Sequence, residues 1–300
     1  MGTPAFAVPT LERLAGAGHQ IIAVFTQPDR PKGRGQKDAM PPVKEAALRL
    51  GLPVCQPERV RRPEVVEQLR EMAPEVMVVV GYGQIIPSAI LEIPPHGIIN
   101  VHASLLPKYR GAAPVQWAIA RGETRTGVTT MRINEGLDTG DVLLQWETEI
   151  GPEENAVGLS ARLAEAGAEL LVQTLDELAN IRPEAQDDAQ ATLAPILKKE
   201  DGQIDWQLPA TEILNRLRGF EPWPGGYGFL RGQRLQIAKA SLGALKLPPG
   251  ALRAANHKLY AGCGDGESIE LQEVQLEGKK RMPAAAFLNG FTLKPDEVLQ

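Results

Sequence analysis

Residues 76–102 read VMVVVGYGQIIPSAILEIPPHGIINVH. Two short apolar runs lie at its ends, 76–80 (VMVVV) and 97–101 (GIINV). Each reads as a strand of a sheet covered on both faces, since neither alternates with polar residues and each is bounded by Gly or Pro. Working outward, 21–26 (IIAVFT) reads as another buried strand. Residues 42–50 (PVKEAALRL), 63–72 (PEVVEQLREM) and 114–121 (PVQWAIAR) read as helices opening on Pro. The second of these carries acids in its first turn, where the helix dipole favours them. Strands alternating with helices imply βαβ units and a parallel sheet.

The texture then changes. Residues 127–133 (GVTTMRI) and 142–150 (VLLQWETEI) read as strands, and 155–180 as a long amphipathic helix with Leu159, Leu163, Leu170, Leu171 and Leu175 on or near one side. The polar stretch 182–190 (RPEAQDDAQ) reads as the start of a connector. From Gly225 onward, turn signals recur between short strand-like runs such as LQIAKA and SIELQEVQL, the pattern of a small barrel. The expected architecture is α/β: a Rossmann-like, doubly wound, mostly parallel sheet, followed by a small C-terminal OB-like β-barrel. The expected division is a first domain over 1–182, a linker over 183–203 and a second domain over 204–300. Met1-Gly2-Thr3-Pro4 opens directly onto a helix-like segment, although a doubly wound domain normally begins with a central strand. The first strand is therefore expected to be missing from this sequence, with the start lying upstream of Met1.

Bulk properties narrow the class. The chain has 300 residues, 43% hydrophobic and 23% charged, which suits a soluble globular protein of two domains. No run approaches the roughly 18 apolar residues of a membrane span, and the start lacks the pattern of a signal peptide. A cytoplasmic enzyme is expected. Cys55 and Cys263 lie far apart, so neither a disulfide framework nor a zinc site is expected, and no metal is called for. The net charge of -5 argues against indiscriminate nucleic-acid binding but leaves room for a local basic patch.

The densest polar information lies between Asn100 and Asp141. Asn100 and His102 flank Val101 at the end of an apolar strand, and period-two alternation puts both side chains on one face. The carboxyl edge of a parallel sheet is where ligands bind in such folds. Asp138 follows in a Gly-rich loop, EGLDTGD at 135–141. Taken singly, a histidine after a strand is more often hydrogen-bonded scaffolding and an aspartate beside glycine more often a turn residue. Sequence alone does not bring Asp138 to His102.

The motifs together say more. N-x-H followed by SLLP, then RGAAP, then GLDTGD with the Asp 36 residues after the His, resembles the 10-formyltetrahydrofolate-dependent formyltransferase family. Over about residues 1–295 the chain is similar to the branch of that family that formylates initiator methionyl-tRNA. The supporting segments include GTPAFAVPTLERL, FTQPDRPKGRGQK, INVHASLLPKYRGAAPVQWAI and FEPWPGGYGF. The resemblance implies Asn100, His102 and Asp138 as catalytic residues. It implies Ser104, Leu105, Leu106 and Pro107 as the lining of the folate site, completed by residues 76–87 and the loop before Asp138. Residue types suit the chemistry. Asn100 and His102 can donate N–H groups to a developing oxyanion, and Asp138 can hold the imidazole in one tautomer, stabilise its cation and help take the proton of the attacking ammonium.

The resemblance also implies that the basic insertion 27–37 (QPDRPKGRGQK) contacts the acceptor arm of the tRNA. It carries Arg30, Lys32, Arg34 and Lys37, with Arg34 matching the family's key arginine, and its Gly and Pro predict a mobile loop rather than an element. Lys279, Lys280 and Arg281 supply local positive charge in the terminal barrel, a fold type that commonly binds RNA. Initiator methionyl-tRNA and a folate co-substrate are the expected partners, with no membrane and a monomeric chain. Three readings compete: a relative acting on glycinamide ribonucleotide or an amino-sugar nucleotide, a non-catalytic RNA-binding module, and a dinucleotide-dependent dehydrogenase. The basic insertion opposes the first, the presence of all three polar residues the second, and the lack of G-x-G-x-x-G between strand and helix the third.

Overall fold

The computed structural model describes residues 1–32 and 37–300. The chain divides into two compact units. One comprises Met1–Pro114, Arg125–Thr148 and Ser160–Ala194, the other Val115–Thr124, Glu149–Leu159 and Pro195–Gln300.

In chain order the elements begin with α1 (Val8–Gly16), β1 (Val24–Phe25), β2 (Arg30–Lys32), β3 (Lys37–Ala39), α2 (Pro42–Arg49), β4 (Val54–Cys55) and α3 (Pro63–Met72). They continue with β5 (Met77–Val79), α4 (Ser88–Leu91), β6 (Ile98–His102), α5 (Pro114–Ala120), β7 (Arg125–Arg132), β8 (Val142–Glu149) and α6 (Ala156–Asp176). Pro63 at the first turn of α3 costs no hydrogen bond, because that N–H would be unsatisfied anyway. The helix stops at Ala73, which turns left-handed with φ 44°. Val65, Val66 and Leu69 of α3 pack with Phe25, Met77, Val79 and Ile98 in one core cluster.

The strand order in the larger sheet of the first unit is β5-β6-β7-β8. β5 and β6 run parallel, with Val79 opposite Asn100. β7 joins β6 antiparallel, with His102 opposite Thr129. β6 is therefore paired on both edges and every residue in it is buried. Gly167 of α6 lets that helix approach closely: a Cβ there would stand 2.8 Å from Val101 Cγ1 and 3.1 Å from Val128 Cγ1.

β1 and β4 form a separate parallel pair. Met1 and Gly2 stand between this pair and β5. The Gly2 N–H donates to Phe25 O at 2.9 Å, the Val80 N–H donates to Met1 O at 2.9 Å, and Gly2 makes a parallel bridge to Val80. The Met1 amine donates to Val78 O at 2.6 Å. Burial pushes its pKa down from 8.0 to about 5. Beyond these residues the gap continues as a cavity of about 450 Å³, lined among others by Ile21, Ile22, Leu69, Met77 and Leu175.

The basic insertion departs from expectation. Where a mobile loop is predicted, β2 and β3 pair antiparallel with Arg30 opposite Ala39, while residues 33–36 between them lie outside the described residues. The base of this pair is pinned at Asp29, which accepts from Lys44 at 2.6 Å and Gln56 at 2.7 Å. Lys44 above all, and then Gln56, holds the Asp29 carboxyl below its ordinary pKa.

The second unit adds α7 (Ala210–Gly219), β9 (Gly226–Leu230), β10 (Gln233–Leu242), β11 (Leu252–Ala255), β12 (Lys258–Gly262), β13 (Ser268–Leu276), β14 (Met282–Pro283) and α8 (Ala284–Gly290). The strands make one six-stranded sheet in the order β11-β12-β13-β10-β9, with β14 on β13. The ladder of β10 against β13 shifts register between Ile237 and Ala240, an irregularity of the kind that bends a strand. The last residues touch both outer strands. Gln300 and Phe229 exchange backbone hydrogen bonds, the Leu252 N–H donates to Glu297 O, and the Leu299 N–H donates to Gly250 O. No helix among the described residues is long and apolar enough to cross a membrane.

Candidate active site

β6 carries Asn100 and His102 to the carboxyl edge of the parallel pair, on one face as period-two alternation requires. Asn100 is 9% exposed and His102 6%. Among the described residues no hydrogen bond is made by the Asn100 side-chain amide, so its N–H groups remain available to an incoming oxygen.

The ring of His102 is held from two sides. Its Nε2–H donates to the carbonyl of Tyr109 at 2.9 Å. A carbonyl can only accept, so the proton of the neutral ring sits on Nε2 and the lone pair on Nδ1. Nδ1 faces Asp138 Oδ2 at 3.6 Å. Tyr109, and not Asp138 as sequence chemistry suggested, sets the tautomer. Asp138 Oδ2 accepts the Gly111 N–H at 2.8 Å. The carboxylate is thereby aimed at the ring without donating or accepting a hydrogen bond there, and is placed to stabilise a charge that appears on protonation.

Both flanking residues are left-handed, Tyr109 with φ 62° and Asp138 with φ 51°. That conformation costs a non-glycine residue on the order of 1 kcal/mol, so the surrounding contacts must impose it. The Tyr109 N–H donates to Thr192 Oγ1 at 2.9 Å. In the Asp138 loop, Asn134 Oδ1 accepts from the Gly136 N–H and from the Thr139 hydroxyl. Gly140 is needed for closeness: a Cβ there would stand 1.9 Å from Arg132 O.

The loop after β6 is tied down by β7 and β8. Thr129 Oγ1 donates to Ser104 O at 2.6 Å and accepts the Leu106 N–H at 3.1 Å. Gln145 Nε2 donates to Leu106 O at 2.8 Å and to Thr129 Oγ1 at 3.0 Å. The Ser104 hydroxyl donates to Lys108 O. Leu106 is buried, while Leu105 and Pro107 are half-buried. A further tie joins the segment after β5 to the Asp138 loop, where the Ser88 hydroxyl donates to Glu135 Oε1 at 2.6 Å. On these two loops Ile85 and Leu137 leave large apolar side chains 90% and 63% exposed.

The structure thus brings Asn100, His102, Asp138 and residues 104–107 into one unit. Tyr109, Gly111, Thr129 and Gln145 are the participants that sequence reasoning missed. Two of them act through backbone atoms, which no side-chain motif announces. Of the basic residues, Arg30 is exposed, Arg34 lies outside the described residues, and so do the side chains of Lys32 and Lys37. Lys279, Lys280 and Arg281 are exposed, and Arg281 pairs with Glu273 at 2.6 Å. Among the described residues no cluster of His, Cys, Asp and Glu is arranged to hold a metal ion.

Two family models cover most of the chain. Residues 1–175 match the formyl transferase model, and residues 196–292 match the formyl transferase C-terminal domain. The chain belongs to the formyl transferase family. Among its relatives is a methionyl-tRNA formyltransferase of Solibacter usitatus (strain Ellin6076), 61% identical over 303 residues that span 100% of this chain and 97% of the relative. A methionyl-tRNA formyltransferase of Geobacter sulfurreducens is 51% identical over 298 residues, 98% of this chain and 94% of the relative. Solved structures agree in fold. A sugar 3N-formyl transferase, WlaRD, crystallised in the presence of dTDP and 5-N-formyl-THF, superposes with a TM-score of 0.67 at 19% identity over 93% of this chain and 97% of its own. An N-formyltransferase from Helicobacter canadensis, in complex with folinic acid and dTDP-3-aminofucose, gives 0.66 at 20% identity over 90% and 96%. Family membership accounts for a Rossmann-like first unit and a second unit built on a sheet.

Proposed function

We propose that this chain transfers the formyl group of 10-formyltetrahydrofolate to the α-amino group of methionyl initiator tRNA, giving formylmethionyl-tRNA for translation initiation in the cytoplasm. The observation that carries the chemistry is the pairing of a His102 ring with a fixed tautomer and an Asp138 carboxylate at 3.6 Å, beside the unengaged amide of Asn100. The full-length likeness to methionyl-tRNA formyltransferases supports the acceptor.

The reaction needs an amine nitrogen to bond to the formyl carbon and the bond from that carbon to N10 to break. One proton leaves the amine and one arrives at N10. In the intermediate the formyl oxygen carries negative charge, and an Asn100 N–H stabilises it. A single donor of this kind commonly lowers a barrier by about 3 kcal/mol. Asp138 takes the proton that holds the amine as ammonium and passes it to solvent, so that it is a carboxylate again when attack begins. The lone pair on His102 Nδ1 receives the proton shed on attack, the carboxylate stabilises the imidazolium, and the ring returns the proton to N10 as it departs.

Ser104, Leu105, Leu106 and Pro107 line the folate site in this reading. Ser104 O and Leu106 O already accept hydrogen bonds, so they offer the pterin their second lone pairs. Ile85 and Leu137 supply apolar cover. Residues 1–182 carry the chemistry, 183–203 join the parts, and 204–300 form an OB-like barrel that binds tRNA. The bend in β10 and the hydrogen bonds of the final residues to both outer strands support a closed barrel. Arg30, Lys32, Arg34 and Lys37 of the basic insertion and Lys279, Lys280 and Arg281 of the barrel meet phosphates, so binding weakens as salt rises.

The test is mass spectrometry of initiator methionyl-tRNA after incubation with the chain and the formyl donor. A mass gain of one formyl group on the methionyl end is expected. No gain there, with formylation of glycinamide ribonucleotide or an amino-sugar nucleotide, would overturn the acceptor assignment.

A further inference from the structure

Residues 184–194 form a strap across the two loops that face His102. Glu184 and Val142 exchange backbone hydrogen bonds at 2.8 and 2.9 Å. Further on, Thr192 O accepts the Arg110 N–H at 2.9 Å, and the Ala194 N–H donates to Arg110 O at 2.8 Å. A Cβ on Gly111 would stand 2.7 Å from Ala194 O, so strap and turn are in close contact. Between these anchors lies Gln186. Its Oε1 accepts from Arg110 Nε at 3.0 Å and Nη2 at 2.9 Å. Its Nε2 donates to Asp138 O at 2.9 Å and Gly140 O at 2.7 Å. The amide uses both donors and both acceptor sites at once.

We propose that Gln186 is a positioning residue for formyl transfer, joining Arg110 to the carbonyls of Asp138 and Gly140 so that the Asp138 carboxylate stays on Gly111 and opposite His102. The proposal rests on the catalytic reading of Asp138 and His102 given above. Two facts make it more than a tie between loops. Asp138 is the strained residue of its loop, at φ 51°, and Gln186 holds its own carbonyl. Arg110 is almost fully buried and ion-pairs with Asp188, which is 83% exposed, so Gln186 supplies the acceptor on the buried side of the guanidinium. Only an amide fits the position. A carboxylate would accept from Arg110 but would set its second oxygen against two carbonyl oxygens, and an apolar side chain would serve neither side.

Two variants test this, Gln186→Met, which keeps the shape and removes all four bonds, and Gln186→Glu, which keeps the pairing with Arg110 and loses the donors to the Asp138 loop. Both are expected to lower kcat by about tenfold or more at saturating substrates, the scale of a displaced catalytic group, with KM for donor and tRNA within about twofold of wild type. The split between a lowered kcat and an unchanged KM is a readout that a merely structural role would not give. Wild-type kcat in Gln186→Glu, or loss of thermal stability in Gln186→Met with kcat unchanged, would overturn the proposal. If the wild-type chain itself forms no formylmethionyl-tRNA, the parent reading fails instead.

Discussion

Thr129→Val puts the loop after β6 to a direct test. The side chain is fully buried and valine matches its shape, so the change removes a hydroxyl and little else. That hydroxyl gives one hydrogen bond to Ser104 O and receives two, from the Leu106 N–H and from Gln145 Nε2. Gln145 keeps its bond to Leu106 O. The Ser104 carbonyl and the Leu106 N–H are left in a buried setting with no replacement partner. Each stranded group costs about 1–3 kcal/mol, and the two adjoin one another and share any relaxation, so a total of about 2–4 kcal/mol is expected. The same relaxation moves the segment proposed to line the folate site, so KM for 10-formyltetrahydrofolate should rise while KM for tRNA does not. The assay is a urea unfolding curve followed by circular dichroism, paired with initial rates at varied donor. Thr129→Ser serves as control, keeping the hydroxyl and losing a methyl group worth about 1 kcal/mol. A Thr129→Val chain within about 0.5 kcal/mol of wild type, with an unchanged KM for the donor, would refute the reasoning.

Other perturbations follow from the same geometry. The Met1 amine has its folded pKa lowered from 8.0 to about 5, so the folded state loses stability as pH falls from 8 toward 5, by a total on the order of 4 kcal/mol. Acetylating that amine should flatten this part of the stability profile, and identical slopes with and without the acetyl group would count against it. Arg231 hydrogen-bonds the buried Glu297 carboxylate and holds its pKa below the ordinary value, a stabilisation present above the unfolded carboxylate pKa and lost as pH falls through the folded one. Glu297→Gln should therefore lower the melting temperature of the second unit at neutral pH, by an amount that shrinks in acid, and a pH-independent difference would contradict this.

Much of the fold was legible because its signals are local. The reading of 63–72 as a helix opening on Pro matches α3 residue for residue, and SIELQEVQL matches β13. The run 21–26 forms a shorter strand than its apolar pattern predicts. Only Val24 and Phe25 form a strand, with β4 on one side and Gly2 touching Phe25 on the other, while Ile21 and Ile22 face the cavity. An apolar run becomes a strand only where neighbours complete its ladder. The β2–β3 pairing escapes the sequence pattern because it is made backbone to backbone between two short runs without apolar alternation. The period-two placement of Asn100 and His102 was visible in advance, whereas the approach of Asp138 rests on Gly111 and on Gln186, 48 residues further along. Residues 182–190 look like a connector because they are polar and aperiodic, and the carbonyls that Gln186 holds leave no trace in their own sequence.

The most direct measurement of the central claim is kcat for formylation of initiator methionyl-tRNA by Asp138→Asn at saturating donor and tRNA. Asparagine keeps an oxygen for the Gly111 N–H, so the loop should hold its shape while the charge opposite His102 disappears. The account predicts a fall of at least about a hundredfold, the lower scale for acid–base groups, in a chain whose melting temperature is close to wild type. Near wild-type kcat in that variant would contradict the assignment of Asp138 and His102 as the centre of the chemistry.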